Sequence, residues 1–145
     1  MYWTDWGSDP KIERSSMDGS ERRVLVSYGL FWPNGLVLDR DEQRLYWADA
    51  GTKRIEFTSL DGSYREILIS LNVPHPFGLA IHNDQIYWTD WERKSVERAN
   101  KMTGLNRETV RAGLEDLMDI KVFHHNRPTN LDKPCIAHKT DVHLP

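Results

Sequence analysis

The chain has 145 residues, of which 39% are hydrophobic and 28% are charged, and its formal net charge is -3 at pH 7. This length suits one domain, and the charge is too small to indicate nucleic acid or an anionic membrane surface as a partner. No apolar run approaches the ~18 residues of a membrane span, and the amino terminus lacks the basic and apolar segments of a signal peptide. The single cysteine, Cys135, has no partner for an internal disulfide.

The chain repeats one four-residue motif three times. The motif is YWTD at Tyr2–Asp5, YWAD at Tyr46–Asp49 and YWTD at Tyr87–Asp90, with offsets of 44 and 41 residues. An Ile-Glu or Val-Glu pair follows each tetrad, and Asp-Gly-Ser follows in the first two repeats. A period of about 40 to 50 residues is typical of repeat arrays and propellers. The sequence therefore predicts about three copies of one structural unit.

Adjacent aromatic residues in the tetrads indicate strands that are covered on both faces. Side chains alternate along a strand, so a Tyr and the Trp after it point in opposite directions, and both are buried only if neighbours lie on both sides. Because the aspartate recurs in every tetrad, we expect it to form structural hydrogen bonds rather than to act in catalysis. These structural residues are Tyr2, Trp3, Asp5, Tyr46, Trp47, Asp49, Tyr87, Trp88 and Asp90.

The middle repeat predicts four short strands separated by polar turns. They are residues 35–39, 44–49, 53–60 and 65–70. Asp-Gly between β-branched runs is a hairpin signal, and a four-stranded antiparallel meander that repeats is a β-propeller blade. An amphipathic helix is an alternative for residues 107–119, but their place in the repeat favours strands. We predict an all-β fold of about three blades.

Few residues stand in patterns that carry chemistry. Glu13, Glu56 and Glu97 recur on the predicted third strand, and we expect each to pair with an arginine or lysine of a neighbouring blade. Cys135 and His138 have C-x-x-H spacing, but a pair in a polar tail is more typical of solvated side chains than of a metal site. We therefore expect no catalytic residue, no metal and no cofactor.

The tetrads, together with Pro-Asn-Gly-Leu at residues 33–36 and Leu-Asp-Gly-Ser at residues 60–63, resemble the class B (YWTD) repeats of the low-density lipoprotein receptor family. The resemblance covers residues 1–127 and implies the C-terminal half of one six-bladed propeller, with residues 119–130 as its last strand and spacer. An epidermal-growth-factor-like module follows in that family and needs about six cysteines. Residues 128–145 are therefore predicted to be disordered or the truncated start of such a module.

This resemblance implies a non-enzymatic, extracellular protein-binding module of a receptor related to the low-density lipoprotein receptor. The parent receptor would lie in the plasma membrane and bind secreted protein ligands, either lipoprotein-type ligands for endocytosis or Wnt-pathway proteins for signalling. Half a propeller also has unpaired strand edges. A homodimer in which two copies exchange their last strands would close the ring.

An enzyme of another class shares part of the pattern. Residues 32–39, WPNGLVLD, are also similar to a segment of calcium-dependent lactonases and esterases with six-bladed propellers, in which Asn and Asp side chains hold a metal. Asn34 would then be a ligand. The other repeats have Phe77 and Met118 at that position, and the tetrads match the receptor family better.

One face of the predicted propeller is rich in exposed aromatic residues. Strands of a meander alternate in direction, so the loop before the first strand and the loop after the second lie on the same face. Large rigid rings with an arginine beside them are typical of interface centres. An alternative is that Trp6, Trp32 and Trp91 only close contacts between blades. The predicted ligand-binding residues are Trp6, Trp32, Asn34, His75, Phe77, Trp91 and Arg93.

Overall fold

The computed structural model describes residues 1–123 and contains eleven strands and no helix in that range. The described residues contain no helical segment with the length and hydrophobicity that a bilayer crossing requires. The strands are β1 (Tyr2–Asp5), β2 (Lys11–Arg14), β3 (Arg23–Val26), β4 (Pro33–Asp39), β5 (Arg44–Asp49), β6 (Arg54–Ser59), β7 (Arg65–Ile69), β8 (Pro76–His82), β9 (Gln85–Asp90), β10 (Ser95–Asn100) and β11 (Glu108–Ala112).

These strands form three antiparallel meanders, which we call the first, second and third blades. The sheet orders are β1-β2-β3, β4-β5-β6-β7 and β8-β9-β10-β11. The predicted all-β fold is confirmed, and the three sheets form an open, partial propeller. The four strands predicted for the middle repeat are found within two residues of their predicted ends. The helical alternative for residues 107–119 is wrong, because β11 pairs there with β10.

The tetrad rings are buried on opposite faces of the second blade. Tyr46 belongs to the apolar core shared with the third blade, and Trp47 belongs to the core shared with the first blade. Both side chains are fully buried, as is Trp88. Tyr2, Trp3 and Tyr87 are only half-buried. Two-sided burial therefore depends on having a blade on each side, as only the second blade does within residues 1–123.

The innermost strands approach each other closely at two glycines. A β-carbon on Gly35 would lie 2.1 Å from the carbonyl oxygen of Phe77 in β8, and one on Gly78 would lie 2.8 Å from the α-carbon of Asp119. The hydroxyl of Thr89 also donates to the Met118 carbonyl at 2.7 Å. Residues 118–120 thus lie against β8 as β8 lies against β4.

The predicted last strand is not formed in this structure. Residues 119–123 lie beside β8 in the expected phase but are not in a strand. A strand needs a partner for its backbone N–H and C=O groups, and none of the described strands pairs with these residues. The first blade correspondingly has β1 at its edge. The strand-exchanged homodimer stays a prediction, and residues 124–145, which include the predicted C-terminal segment 128–145, lie outside the described residues.

The recurring glutamates pair within their own blades, so the expectation of partners on neighbouring blades is wrong. The N···O distances are 2.8 Å for Glu13 and Arg22, 2.8 Å for Glu56 and Arg65, and 3.1 Å for Glu97 and Arg107. Each arginine lies at or just before the start of the outer strand, which runs antiparallel beside the strand of its glutamate. Adjacent strands bring these side chains within reach, whereas the next blade does not.

Each of these arginines also lies over the tryptophan of its own tetrad. The guanidinium carbon is 5.6 Å from the Trp3 ring in the first blade, 5.2 Å from Trp47 in the second and 4.9 Å from Trp88 in the third. This distance is typical of a cation–π contact. We call each set of tryptophan, glutamate and arginine a blade triad.

One buried ion pair joins the second and third blades. The Lys101 ammonium, just after β10, lies 2.6 Å from the Asp39 carboxylate at the end of β4, and both side chains are more than nine-tenths buried. The Tyr46 hydroxyl donates to the Lys101 carbonyl at 3.0 Å. The equivalent positions of the first and second repeats hold Met17 and Leu60, so this ionic contact is specific to one pair of blades.

We expect Trp47→Ala and Trp88→Ala to lower the free energy of unfolding by roughly 3 to 5 kcal/mol, the range for removing a large ring from a packed core. Trp6→Ala, which removes an exposed ring, is the control and should change it by less than ~1 kcal/mol. Denaturant unfolding of the full chain measures all three values. Equal small effects would contradict two-sided burial as the basis of the fold.

We also expect Glu97 to make folding stability depend on acid pH. Burial raises the pKa of Glu97, but hydrogen bonds from a serine, two arginines and a threonine outweigh burial and lower that pKa below its ordinary value of 4.5. Because the pKa of Glu97 is lower in the folded than in the unfolded chain, its charge stabilises the fold at pH values above the ordinary pKa. This stabilisation is lost as the pH falls through the pKa of the folded state. Urea unfolding from about pH 6 to about pH 3 should therefore give a steeper loss of stability for the wild type than for Glu97→Gln. Glu92→Gln changes an exposed glutamate and should follow the wild type; parallel curves for all three proteins would contradict this role of Glu97.

Candidate ligand-binding face

Two inter-blade linkers and the turns after β1, β5 and β9 meet on one face of the sheets. We call residues 27–32 and 70–75 the first and second linkers. A cavity of about 300 Å³ opens there, which we call the ring cavity. It is lined by Trp6, Trp32, Asn34, His75, Phe77 and Trp91. The structure thus brings together six of the seven side chains that the sequence singles out.

Trp91 is the centre of this group. The rings of His75 and Phe77 both stack on it, at centroid distances of 5.0 and 4.9 Å and interplanar angles of 9° and 7°. The indole N–H of Trp91 donates to the backbone carbonyl of Leu117. His75 and Phe77 are two residues apart on one extended segment, so their side chains point to the same side. The stack therefore gives the cavity a rigid apolar wall.

Trp32, which lies at the end of the first linker, forms another part of the wall of the ring cavity. Its ring packs edge-on against Phe31, with centroids 5.1 Å apart and an interplanar angle of 68°. The exposed fractions of Trp6, Trp32 and Trp91 are 59%, 43% and 40%, whereas Trp47 and Trp88 are fully buried. These three rings therefore remain accessible, unlike the rings of Trp47 and Trp88.

The tetrad aspartate of the second blade anchors the first linker. The Asp49 carboxylate accepts hydrogen bonds from the backbone N–H groups of Phe31 at 2.8 Å and Trp32 at 3.0 Å. It also accepts from the N–H groups of Gly51 and Thr52, each at 2.9 Å. One buried carboxylate therefore holds both the linker before β4 and the turn after β5. These N–H groups lie outside the strands and therefore have no hydrogen-bond partner within a sheet.

The other two tetrad aspartates occupy equivalent positions. The Asp90 carboxylate accepts from the N–H of His75 at 3.3 Å and of Arg93 at 3.0 Å, and so it joins the second linker to the turn after β9. The Asp5 carboxylate accepts from the N–H of Gly7 at 3.1 Å. Asp90 is fully buried, whereas Asp5 is exposed. All three carboxylates accept hydrogen bonds from backbone N–H groups.

Asn34 lies where the second and third blades meet. Its side-chain amide donates to the Pro76 carbonyl at 3.5 Å, and its backbone carbonyl accepts from the Thr4 hydroxyl at 3.1 Å. Asn34 also borders a second cavity of about 360 Å³, and Trp6 and Phe77 line both cavities. Asn34 thus contributes the one side-chain amide in the lining of the ring cavity.

Two charged residues on this second cavity were missed by the sequence analysis. Asp119 and Lys121 line it, and their side chains form an ion pair at 2.6 Å. The signal was available, because Asp119 stands in phase with Gly35 and Gly78 and so breaks the repeat. Departures from a repeat at equivalent positions mark residues that the common fold does not require.

Arg93 does not join the ring cavity. Its guanidinium donates to Glu97 at 3.1 Å, and its side chain lines a separate cavity of about 350 Å³ beside Lys53 and Asn72. Its role in ligand binding stays a prediction. Asn34, the metal ligand of the enzyme alternative, lies in residues 1–123, where no group of three or more His, Cys, Asp or Glu side chains is arranged to hold a metal ion.

The turns of the opposite face carry Asp-Gly-Ser motifs together with exposed apolar side chains such as Met17, Tyr64 and Leu105. In the turn after β2 the Asp18 carboxylate accepts from the Ser20 N–H at 3.0 Å, and in the turn after β6 the Asp61 carboxylate accepts from the Ser63 N–H at 2.9 Å. The hydrogen bonds from Ser63 lower the pKa of Asp61, so this carboxylate stays charged and solvated. The opposite face thus combines polar turns with exposed apolar side chains, whereas the aromatic rings of the other face line one cavity.

We expect Asp49→Ala to destabilise the fold by at least ~3 kcal/mol, because four backbone N–H groups lose a charged acceptor and each unsatisfied buried donor costs roughly 1 to 3 kcal/mol. Asp5→Ala is the matched control, since Asp5 is exposed and holds a single N–H. Denaturant unfolding compares the two. A smaller effect for Asp49 than for Asp5 would contradict the anchoring role.

Three comparisons place the chain among known proteins. A sequence model of low-density lipoprotein receptor repeat class B matches residues 1–40 and 43–83. The chain is 43% identical over 123 residues to a human low-density lipoprotein receptor-related protein 5-like protein, covering 85% of this chain and 48% of that protein. It is 39% identical over 135 residues to the Drosophila melanogaster vitellogenin receptor Yl, covering 93% of this chain and 7% of that protein.

A solved structure agrees with the sequence matches. One chain of a crystal structure of a nidogen/laminin complex superimposes with a TM-score of 0.78 at 33% identity, over 84% of this chain and 47% of that one. The chain spans less than half the length of the relatives it matches. More than half of the chain matches the family model, and the structure extends the same blade to a third copy beyond residue 83. The chain belongs to the low-density lipoprotein receptor class B (YWTD) repeat family.

Proposed function

We propose that this chain is the ligand-binding module of a cell-surface receptor, that it binds secreted proteins through the ring cavity, and that it does not act as an enzyme. The observation that carries the proposal is the ring cavity itself. Five aromatic side chains and one amide converge on a single face, although they come from four separate segments of the chain.

The ring cavity has the chemistry of a protein interface centre. Exposed tryptophans bury a large area at a small cost in side-chain entropy, and they dominate the energy of many interfaces. The stack on Trp91 holds the rings in place before a partner arrives, so little ordering is required on binding. Asn34 adds a group that both donates and accepts hydrogen bonds. An apolar ligand side chain with a polar group beside it fits this lining.

The relatives support a receptor. Their names are those of a low-density lipoprotein receptor-related protein and a vitellogenin receptor, and the structural neighbour comes from a nidogen/laminin complex. The parent protein would carry the propeller outside the plasma membrane. Lipoprotein-type ligands and Wnt-pathway proteins are the two ligand classes that we propose, and the geometry of the ring cavity is compatible with both.

The test is binding of candidate secreted proteins to the full chain immobilised on a sensor surface. Trp32→Ala, Phe77→Ala and Trp91→Ala should each weaken binding by roughly 1 to 4 kcal/mol, because each removes a central ring of the interface. Asp61→Ala on the opposite face is the control and should leave the affinity unchanged.

Two results would contradict the proposal. If all three ring variants bind as tightly as the wild type, the ring cavity is not the binding face. If isothermal calorimetry finds tight, stoichiometric calcium binding that Asn34→Ala abolishes, the chain resembles the calcium-dependent lactonases in its site as well as in its blades. Circular dichroism of each variant distinguishes lost binding from lost folding.

A further inference from the structure

The ring cavity depends on the conformation of the two linkers. The first linker ends in Phe31 and Trp32, and the second ends in His75, so both deliver rings to the ligand-binding face. Asp49 and Asp90 hold the C-terminal ends of the linkers through backbone N–H groups. A linker that is held at one end only can still move. The contacts of the N-terminal half of each linker therefore decide how rigidly its rings are held.

Arg65 holds the N-terminal half of the first linker. Its guanidinium donates to the backbone carbonyls of Tyr28 and Gly29, the latter at 3.1 Å. The same group donates twice to Glu56, at 2.8 and 3.1 Å. The φ angle of Gly29 is +61°, which turns the linker back in a conformation that glycine adopts readily. Arg65 thus ties the linker to the blade triad of the second blade.

Arg107 does the same for the second linker. It donates to the Leu71 carbonyl at 2.9 Å and to Glu97 at 3.1 Å. The next residue, Asn72, has a φ angle of +53° and turns the linker as Gly29 turns the first. The side chains of Arg65 and Arg107 are 12% and 21% exposed, so both contacts are partly shielded from solvent.

Arg22 provides an internal comparison. It has the same contacts with its blade triad, to Glu13 at 2.9 and 2.8 Å and over the Trp3 ring. Its hydrogen bonds within residues 1–123 go to Glu13, and none reaches a linker carbonyl. Its side chain is 61% exposed, five times the fraction of Arg65. The triad therefore forms without a linker, and the linker contact is an additional role of Arg65 and Arg107.

We infer that Arg65 and Arg107 are positioning residues for the ring cavity, with Arg65 setting Trp32 and Arg107 setting His75 and, through the ring stack, Trp91. A guanidinium presents its donors as a planar fork that reaches a carboxylate and a carbonyl at once, whereas the donors of a lysine radiate from one atom. The use of these rings by a ligand rests on the proposed function. The geometry of the rings does not rest on that proposal, because it can be measured without a ligand.

The test is ¹⁹F NMR of the full chain labelled with 5-fluorotryptophan, in which Trp→Phe variants assign each signal. Arg65→Lys should shift or broaden the Trp32 signal and leave the Trp91 signal in place, and Arg107→Lys should do the reverse. Arg22→Lys is the matched control and should move neither. Each variant should also move the signal of the triad tryptophan under its own arginine, which shows that the substitution has acted.

Amide hydrogen exchange provides a second readout. Arg65→Lys should speed exchange of the Phe31 and Trp32 amides about tenfold, the effect of losing roughly one charge-assisted hydrogen bond. Arg107→Lys should do so for the His75 amide, and Arg22→Lys for none of the three. A merely structural loss would instead speed exchange in all blades together.

Gly29→Ala covers the case in which Arg65→Lys does not fold. It leaves the Glu56–Arg65 pair in place but strains the turn, because an alanine at this φ is disfavoured and its β-carbon would lie 3.5 Å from the guanidinium. The Trp32 signal should then move while the Trp47 signal stays. Unchanged Trp32 signals in both Arg65→Lys and Gly29→Ala would overturn the inference. Shifted signals in a chain whose ring variants bind normally would overturn the proposed function and leave this inference standing.

Discussion

The opposite burial of two adjacent rings is the constraint on which the rest of this structure depends. Tyr46 and Trp47 are consecutive and therefore point to opposite faces of β5, yet both are fully buried. No single sheet provides cover on both faces, so a blade of this sequence requires a neighbour on each side. The half-buried rings of Trp3 and Tyr87 show what happens where one neighbour is lacking within residues 1–123. Stacking of blades thus follows directly from the tetrad.

The same tetrad positions the ring cavity. Its aspartate is the last residue of the second strand in each complete blade. There the linker before the blade and the turn after that strand present backbone N–H groups. Asp49 and Asp90 satisfy these donors, so a residue that terminates a strand also shapes the surface beyond it. Core packing and surface geometry are therefore coupled through one carboxylate per blade. The repeated residues build the frame, and side chains that differ between repeats occupy the face.

Residues that differ between repeats give each blade its own surface chemistry and its own contacts with neighbouring blades. Asn34, Phe77 and Met118 occupy equivalent positions and differ in chemistry, and Asp119 stands where the other repeats have glycine. Lys101 stands where the other repeats have a methionine and a leucine, and it pairs with buried Asp39 between two particular blades. Removing one partner of such a buried pair is costly, so this contact favours one order of blades. The common residues cannot make these distinctions, because they are the same in each copy.

The sequence by itself determined the all-β class, the strand positions of the middle repeat and the face on which the exposed rings gather. These features follow from local rules: alternation along a strand, hairpin turns and a period of about 40 residues. Only the tertiary structure decided that Glu56 pairs with Arg65 of its own blade, that Arg93 turns away toward Glu97, and that residues 119–123 form no strand. It also decided the stacking of His75 and Phe77 on Trp91. A side chain's partner depends on distances between strands and on the direction in which the side chain leaves the backbone, and neither is encoded in the spacing of residues along the chain.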